Sequence, residues 1–155
     1  MAIPPFYKTL CRWGLVFGQL GLAILFGIAA YIKFKDPFSF GQQIVAYALP
    51  LPYQAIDILV WVVPGVEFCI ALLLLSGVYT RIAASLSAIL LTGFTLLVLT
   101  AMSRGLAIDC GCFGIPQPVG WGKVSENVCL IILAVTLIKW PGYTSTKIKP
   151  GTGRF

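Results

Sequence analysis

Two cysteines one residue apart, in Asp109-Cys110-Gly111-Cys112-Phe113-Gly114, are the side chains of this protein best suited to chemistry. Two steps of extended backbone reach about 7 Å, and a disulfide needs its Cα atoms at roughly 4.4–6.8 Å. Cys110 and Cys112 can therefore bridge once the chain bends, and Gly111 bends without a Cβ penalty. So small a ring is strained, and strained bridges are the more oxidising and labile ones. The expected chemistry is thiol–disulfide exchange, with the pair cycling between dithiol and disulfide. Arg104 favours a thiolate nearby and Asp109 opposes it, so both are candidate supports of opposite sign. Two plainer readings stand beside exchange. A structural staple here closes almost no loop, which leaves little chain entropy to remove. Zinc needs four ligands, and the chain has no histidine and only Cys11, Cys69 and Cys129 besides, all in or near apolar segments. No metal is expected, and those three cysteines read as small packing residues.

Glu67 is the second residue of interest, because it interrupts an otherwise uncharged run over 58–80. It lies roughly 13 Å below the outward end of that run, near the bilayer midplane, where a charge is costly and faces a bundle interior or water. Pro64 and Gly65, one turn earlier, loosen the helix and free a backbone carbonyl. Two readings stay open: structural hydrogen bonding to a neighbour such as Thr92 or Thr95, or a proton- or quinone-linked role.

The elements that must position these residues follow from composition. A chain 59% hydrophobic and 10% charged is too apolar for a soluble domain of this length. Uncharged or nearly uncharged runs over 13–32, 58–80, 82–103 and 121–140 are long enough to span a bilayer. Trp13 and Tyr31, Trp61 and Tyr79, and Trp121 and Trp140 frame three of them at headgroup level, while Arg81 and Arg104 frame the remaining one. The expectation is an all-α membrane protein, a single four-transmembrane-helix domain with a tail over 141–155. Lys8, Arg12, Arg81, Lys139, Lys147, Lys149 and Arg154 fall on one side, against Lys33, Lys35, Arg104 and Lys123 on the other. Seven against four of the 11 basic residues puts both termini in the cytoplasm and the cysteine loop outside, where disulfides persist. The net charge of +6 is then a topology signal, with no nucleic-acid footprint. The first span reads as a retained helix, being longer than a signal-peptide core. In the first outward loop, over 33–54, Asp36 before Pro37 has the form of an N-cap and first-turn proline. It should start a short interfacial helix that Pro50 and Pro52 end. The loop over 104–120, with Pro116 and Pro118, should be irregular. Gly14, Gly18 and Gly21 suit close helix packing.

Taken together, Lys33 to Phe38, Tyr47 to Pro50, Pro64 to Glu67 with Leu72 to Gly77, Arg104-Gly105 and Asp109 to Gly114 resemble the MauE branch of the DoxX-like membrane proteins. The likeness covers about 12–140, and its Asp-Cys-Gly-Cys-Phe-Gly element is the specific part. It implies a bacterial inner-membrane protein similar in layout to DsbB and vitamin K epoxide reductase proteins. Its implied activity is that of a thiol–disulfide oxidoreductase serving a thioredoxin-like or disulfide-containing extracytoplasmic partner. The positions that match are Cys110 and Cys112 as redox pair, with Glu67 and Arg104 as supports. DsbB-like proteins use two cysteine pairs and then quinone, and this chain has no second outward pair. Either the single pair reaches a membrane quinone directly, or a partner supplies the rest of the chain. The competing expectation is a non-catalytic structural or assembly subunit of a larger membrane complex.

Overall fold

The computed structural model of the protein describes residues 5–106, 108 and 119–140, with side chains from residue 13 onward. Asp109, Cys110, Cys112, the loop prolines and the 141–155 tail lie outside the described residues. The described chain is all α-helical: α1 (Pro5–Lys35), α2 (Pro37–Ala46), α3 (Tyr53–Ser76), α4 (Thr80–Ser103) and α5 (Trp121–Lys139). Four of these, α1 over Trp13–Lys35 and the whole of α3, α4 and α5, are long and apolar enough to cross a membrane. The chain is thus a multi-pass membrane protein of four spanning helices with the short α2 between the first two.

The break between α1 and α2 is written in Asp36-Pro37. A residue before proline is pushed out of the helical region, and Asp36 sits at φ −136°, ψ 76°. Its carboxylate accepts a hydrogen bond from the Ser39 N–H at 3.0 Å, which satisfies one orphan donor of the new helix. α2 stops at Ala46, ahead of the two prolines expected to end it, because Ala48 turns left-handed at φ 49°. Pro52 instead precedes the first turn of α3, its carbonyl accepting from the Ala55 N–H at 2.9 Å. α3 starts at Tyr53, before the apolar run begins at Ile58, since nothing between Pro52 and Ile58 breaks a helix. It ends on Gly77 at φ 68°, the left-handed position that glycine takes without strain.

α1 packs chiefly on α3, and α4 on α5, with α3 and α4 joining the two pairs. The α1/α3 register is antiparallel: Phe34 meets Trp61 with ring centroids 6.4 Å apart, Gly27 faces Ala71, and the Gln19 amide donates to the Leu74 carbonyl at 2.6 Å. Leu22, Phe26, Ile70, Leu74, Leu91 and Leu137 fill the core together with alanines of all four spanning helices. The alanines let the backbones approach where lipid supplies no hydrophobic drive for helices to associate. Gly18 leaves room for the Leu133 side chain, since a Cβ there would lie 2.7 Å from Leu133 Cδ1, whereas Gly14 and Gly21 face open space. The large exposed apolar residues, among them Trp13, Phe17, Ile24, Ile89 and Ile132, point away from the bundle, as a lipid-facing surface requires.

Candidate functional site

α2 and the two ends of the connection that carries the cysteines, Ile108 and Val119, lie at one end of the bundle, here termed the loop end. α4 finishes there at Ser103. The exposed Arg104 then reaches across to the turn after α2, where its Nη1 donates to the Ala48 carbonyl at 3.1 Å. Gly105 follows at φ 66°, and the Leu106 N–H returns to the Ala101 carbonyl at 3.0 Å, closing the helix end. Farther on, the Val119 N–H donates to the Ile108 carbonyl at 2.9 Å. Asp109, Cys110 and Cys112 therefore belong to a segment whose two ends are held together beside the start of α5.

Glu67 is buried, and its partner is a residue the sequence placed in a loop. Lys33 lies in the last turn of α1, and its Nζ pairs with Glu67 Oε1. The two are 2% and 0% exposed, respectively. The ammonium also sits 5.1 Å from the centroid of the Phe40 ring of α2 and 5.2 Å from that of Phe94 of α4, within the range of cation–π attraction. One cation thus ties together four helices. Thr92 and Thr95, the expected neighbours, instead donate back to the Ala88 and Leu91 carbonyls of their own helix, at 2.7 Å each. A local carbonyl one turn away is always in reach of a helical threonine. The missed signal for Lys33 was helical period: Leu22, Phe26, Ala29 and Ala30 form the buried stripe of α1, and Lys33 continues it three to four residues on. Pro64, one turn before Glu67, is itself buried.

Above this pair lies an apolar cavity of about 120 Å³ beneath the Tyr47–Leu51 turn, lined by Phe40, Tyr47, Leu59, Val63, Phe94 and Leu97 among others. Burial pushes the Tyr47 phenol above its ordinary pKa. On α5, Lys123 is buried and pairs with the exposed Glu126 at 2.9 Å. Asn127, fully buried one turn further on, has no hydrogen-bond partner at either side-chain atom among the described residues. The same holds for Glu67 Oε2.

Cys69 and Cys129 are exposed on the outside of their helices, which corrects their reading as packing residues. The buried stripe of α3 runs through Pro64, Glu67, Ile70, Ala71 and Leu74, and Cys69 falls on the opposite, lipid-facing side. The α5 stripe of Lys123, Asn127, Ala134 and Leu137 leaves Cys129 outside in the same way. Among the described residues, no group of three His, Cys, Asp or Glu side chains comes together as a metal site.

Comparison with known proteins places this arrangement. The family model described as "Methylamine utilisation protein MauE" matches residues 11–139. A "Methylamine utilization protein MauE" from Paracoccus denitrificans is 32% identical over 133 residues, which is 84% of this chain and 69% of that protein. No solved structure matches. With a match that runs from the first spanning helix to the end of the last, the chain belongs to the MauE family.

Proposed function

We propose that this protein is a membrane thiol–disulfide exchange protein of the bacterial inner membrane, with Cys110 and Cys112 as its redox pair and its loop end outside the cytoplasm. A thiolate of an extracytoplasmic partner, thioredoxin-like or itself maturing, attacks the Cys110–Cys112 bridge and forms a mixed disulfide. A second partner thiolate resolves it, so two electrons leave the partner and the pair becomes a dithiol. Reoxidation needs a two-electron, two-proton acceptor, for which a membrane quinone is the proposed class. The relatives' name supports a place for the protein in methylamine utilisation; maturation of a disulfide-containing component is the role we propose for it there, and we place the family among the DoxX-like proteins on the residues quoted above.

The observation that carries this reading is the double anchoring of the cysteine segment. The Ile108–Val119 hydrogen bond brings its two ends together, and Arg104, just before it, donates to the Ala48 carbonyl, so both ends of the segment that carries the pair are fixed at one bundle end. The burial of Lys33 in an ion pair also removes a cation from the loop count and sharpens the basic bias toward the termini that sets orientation.

The test labels intact cells with a membrane-impermeant, mass-shifting thiol reagent, using a variant in which Cys11, Cys69 and Cys129 are serine. Two labels that appear only after mild reductant support an outward, labile bridge. If no label appears before or after reduction, the loop is shielded or faces the cytoplasm, and a structural subunit of a larger complex becomes the better description.

A further inference from the structure

Three buried polar atoms lack partners among the described residues: Glu67 Oε2 and both side-chain atoms of Asn127. Leaving a buried polar atom unsatisfied forfeits its hydration with nothing in return, and native interiors rarely do so. These three atoms lie at one level of the bundle. Val98 of α4 packs with Phe94 on its own helix and with Val124 of α5. Phe94 is one turn from Val98 away from the loop end, and Asn127 is one turn from Val124 in that same direction, displacements of about 6 Å and about 4.5 Å. Phe94 in turn faces Lys33 Nζ at 5.2 Å, and Lys33 pairs with Glu67. Lys33, Glu67, Phe94 and Asn127 therefore form a layer with one residue from each spanning helix. Among the described residues α3 and α5 do not pack directly on each other, so the buried Glu67 and Asn127 reach the bundle interior from helices on its diagonal.

This layer connects to the solvent-exposed rim. Lys123 lies one turn above Asn127 on the same face of α5, about 6 Å nearer the loop end. It is buried at 6% exposure, and its Nζ reaches the exposed Glu126 carboxylate at 2.9 Å. The polar side chains descend from Glu126 at the rim through Lys123 and Asn127 toward Glu67 and Lys33.

We propose that this ladder is a water-binding site, with a file of bound water entering at the loop end past Lys123 and bridging Asn127 to Glu67. Water meets all three requirements: it donates to Glu67 Oε2 and to Asn127 Oδ1, and it accepts from Asn127 Nδ2. Two or more polar partners are what a buried water needs to remain in place. The file hydrates the free oxygen of a carboxylate whose other oxygen is held by Lys33, and Asn127 is the residue that retains it.

The chain has two glutamates, Glu67 and Glu126, so full-length protein labelled with carboxyl-¹³C glutamate in lipid vesicles gives two assignable signals, with Glu67→Gln identifying one. Solid-state NMR then reads how fast magnetisation passes from water to each carbon. The expected result is that Glu67 builds up within about twofold of exposed Glu126 despite its burial. Asn127→Leu and Lys123→Met should each slow Glu67 severalfold and leave Glu126 fast. Gln19→Leu, at the other end of α1, should leave Glu67 unchanged. A wild-type Glu67 signal that builds up severalfold more slowly than that of Glu126 overturns the proposal without recourse to any variant. A Glu67 signal slowed by Gln19→Leu and not by Lys123→Met overturns the entry route.

Discussion

Lys33→Met keeps most of the side chain's length and removes its charge, so it isolates what the buried ion pair contributes. With Glu67 0% exposed, the variant leaves a carboxylate in the core without its counter-ion, a change that costs about 3–5 kcal/mol when one member of a buried pair is removed. The contacts of Nζ with the Phe40 and Phe94 rings are lost as well, at about 0.5–2 kcal/mol each. An unfolded chain in detergent finds other partners for its polar groups, which lowers the net, and the expected loss is about 3 kcal/mol. The double variant Lys33→Met with Glu67→Leu removes both charges and both desolvation penalties, and should fall within about 1 kcal/mol of the parent. The coupling read from the full cycle then exceeds about 2 kcal/mol. Equilibrium unfolding of purified protein, driven by a denaturing detergent titrated into mild micelles and followed by circular dichroism, measures all four species. A Lys33→Met variant as stable as the parent, or a double variant as unstable as the sum of the singles, refutes the reasoning.

Asp36→Ala removes the cap on Ser39 N–H and should cost about 1 kcal/mol, read as faster hydrogen exchange confined to α2. Gly18→Ala brings a Cβ to 2.7 Å from Leu133 Cδ1, a side-chain tip that has to turn aside, and should cost up to about 1 kcal/mol, while Gly14→Ala and Gly21→Ala, with open space around them, should stabilise by about 0.5–1 kcal/mol; thermal melts in detergent separate them. Tyr47, whose phenol is pushed up by burial, ionises in the unfolded chain from about pH 10 before it does so in the native one. Its contribution is therefore whole below that pH and lost as pH rises toward the native pKa, and Tyr47→Phe should show a smaller alkaline fall in melting temperature than the parent.

Much of the architecture was legible because it rests on local rules. Apolar length marked the spanning helices, and Asp36-Pro37 marked the start of α2, since a cap and a proline act within one turn. What was not legible depends on register between distant segments. Lys33 and Glu67 are neighbours only because α1 and α3 run antiparallel with Phe34 beside Trp61, and no local pattern states that register. Periodicity alone would have put Lys33 on the buried face of α1, but its place beside Lys35, Asp36 and Pro37 made a loop the simpler reading. Gly14, Gly18 and Gly21 share a helical spacing, yet of these only Gly18 meets a neighbour, because close approach depends on where α5 lies. Asn127 likewise looks like an ordinary helix residue until the stripe of α5 turns it inward. For the candidate site, residue type and spacing marked the cysteine pair, while the tie from Arg104 to the Ala48 carbonyl emerged only from the fold.

The central claim is that Cys110 and Cys112 exchange disulfides with a protein outside the membrane. Its most direct test expresses Cys110→Ser and Cys112→Ser separately in the cysteine-poor background, quenches the cells in acid, and separates membranes on non-reducing gels. One of the two variants is expected to accumulate a reductant-sensitive covalent adduct with an extracytoplasmic protein, with membrane insertion of both unchanged and partner oxidation lost in both. Neither variant forming an adduct, with partner oxidation proceeding as in the parent, would contradict the claim.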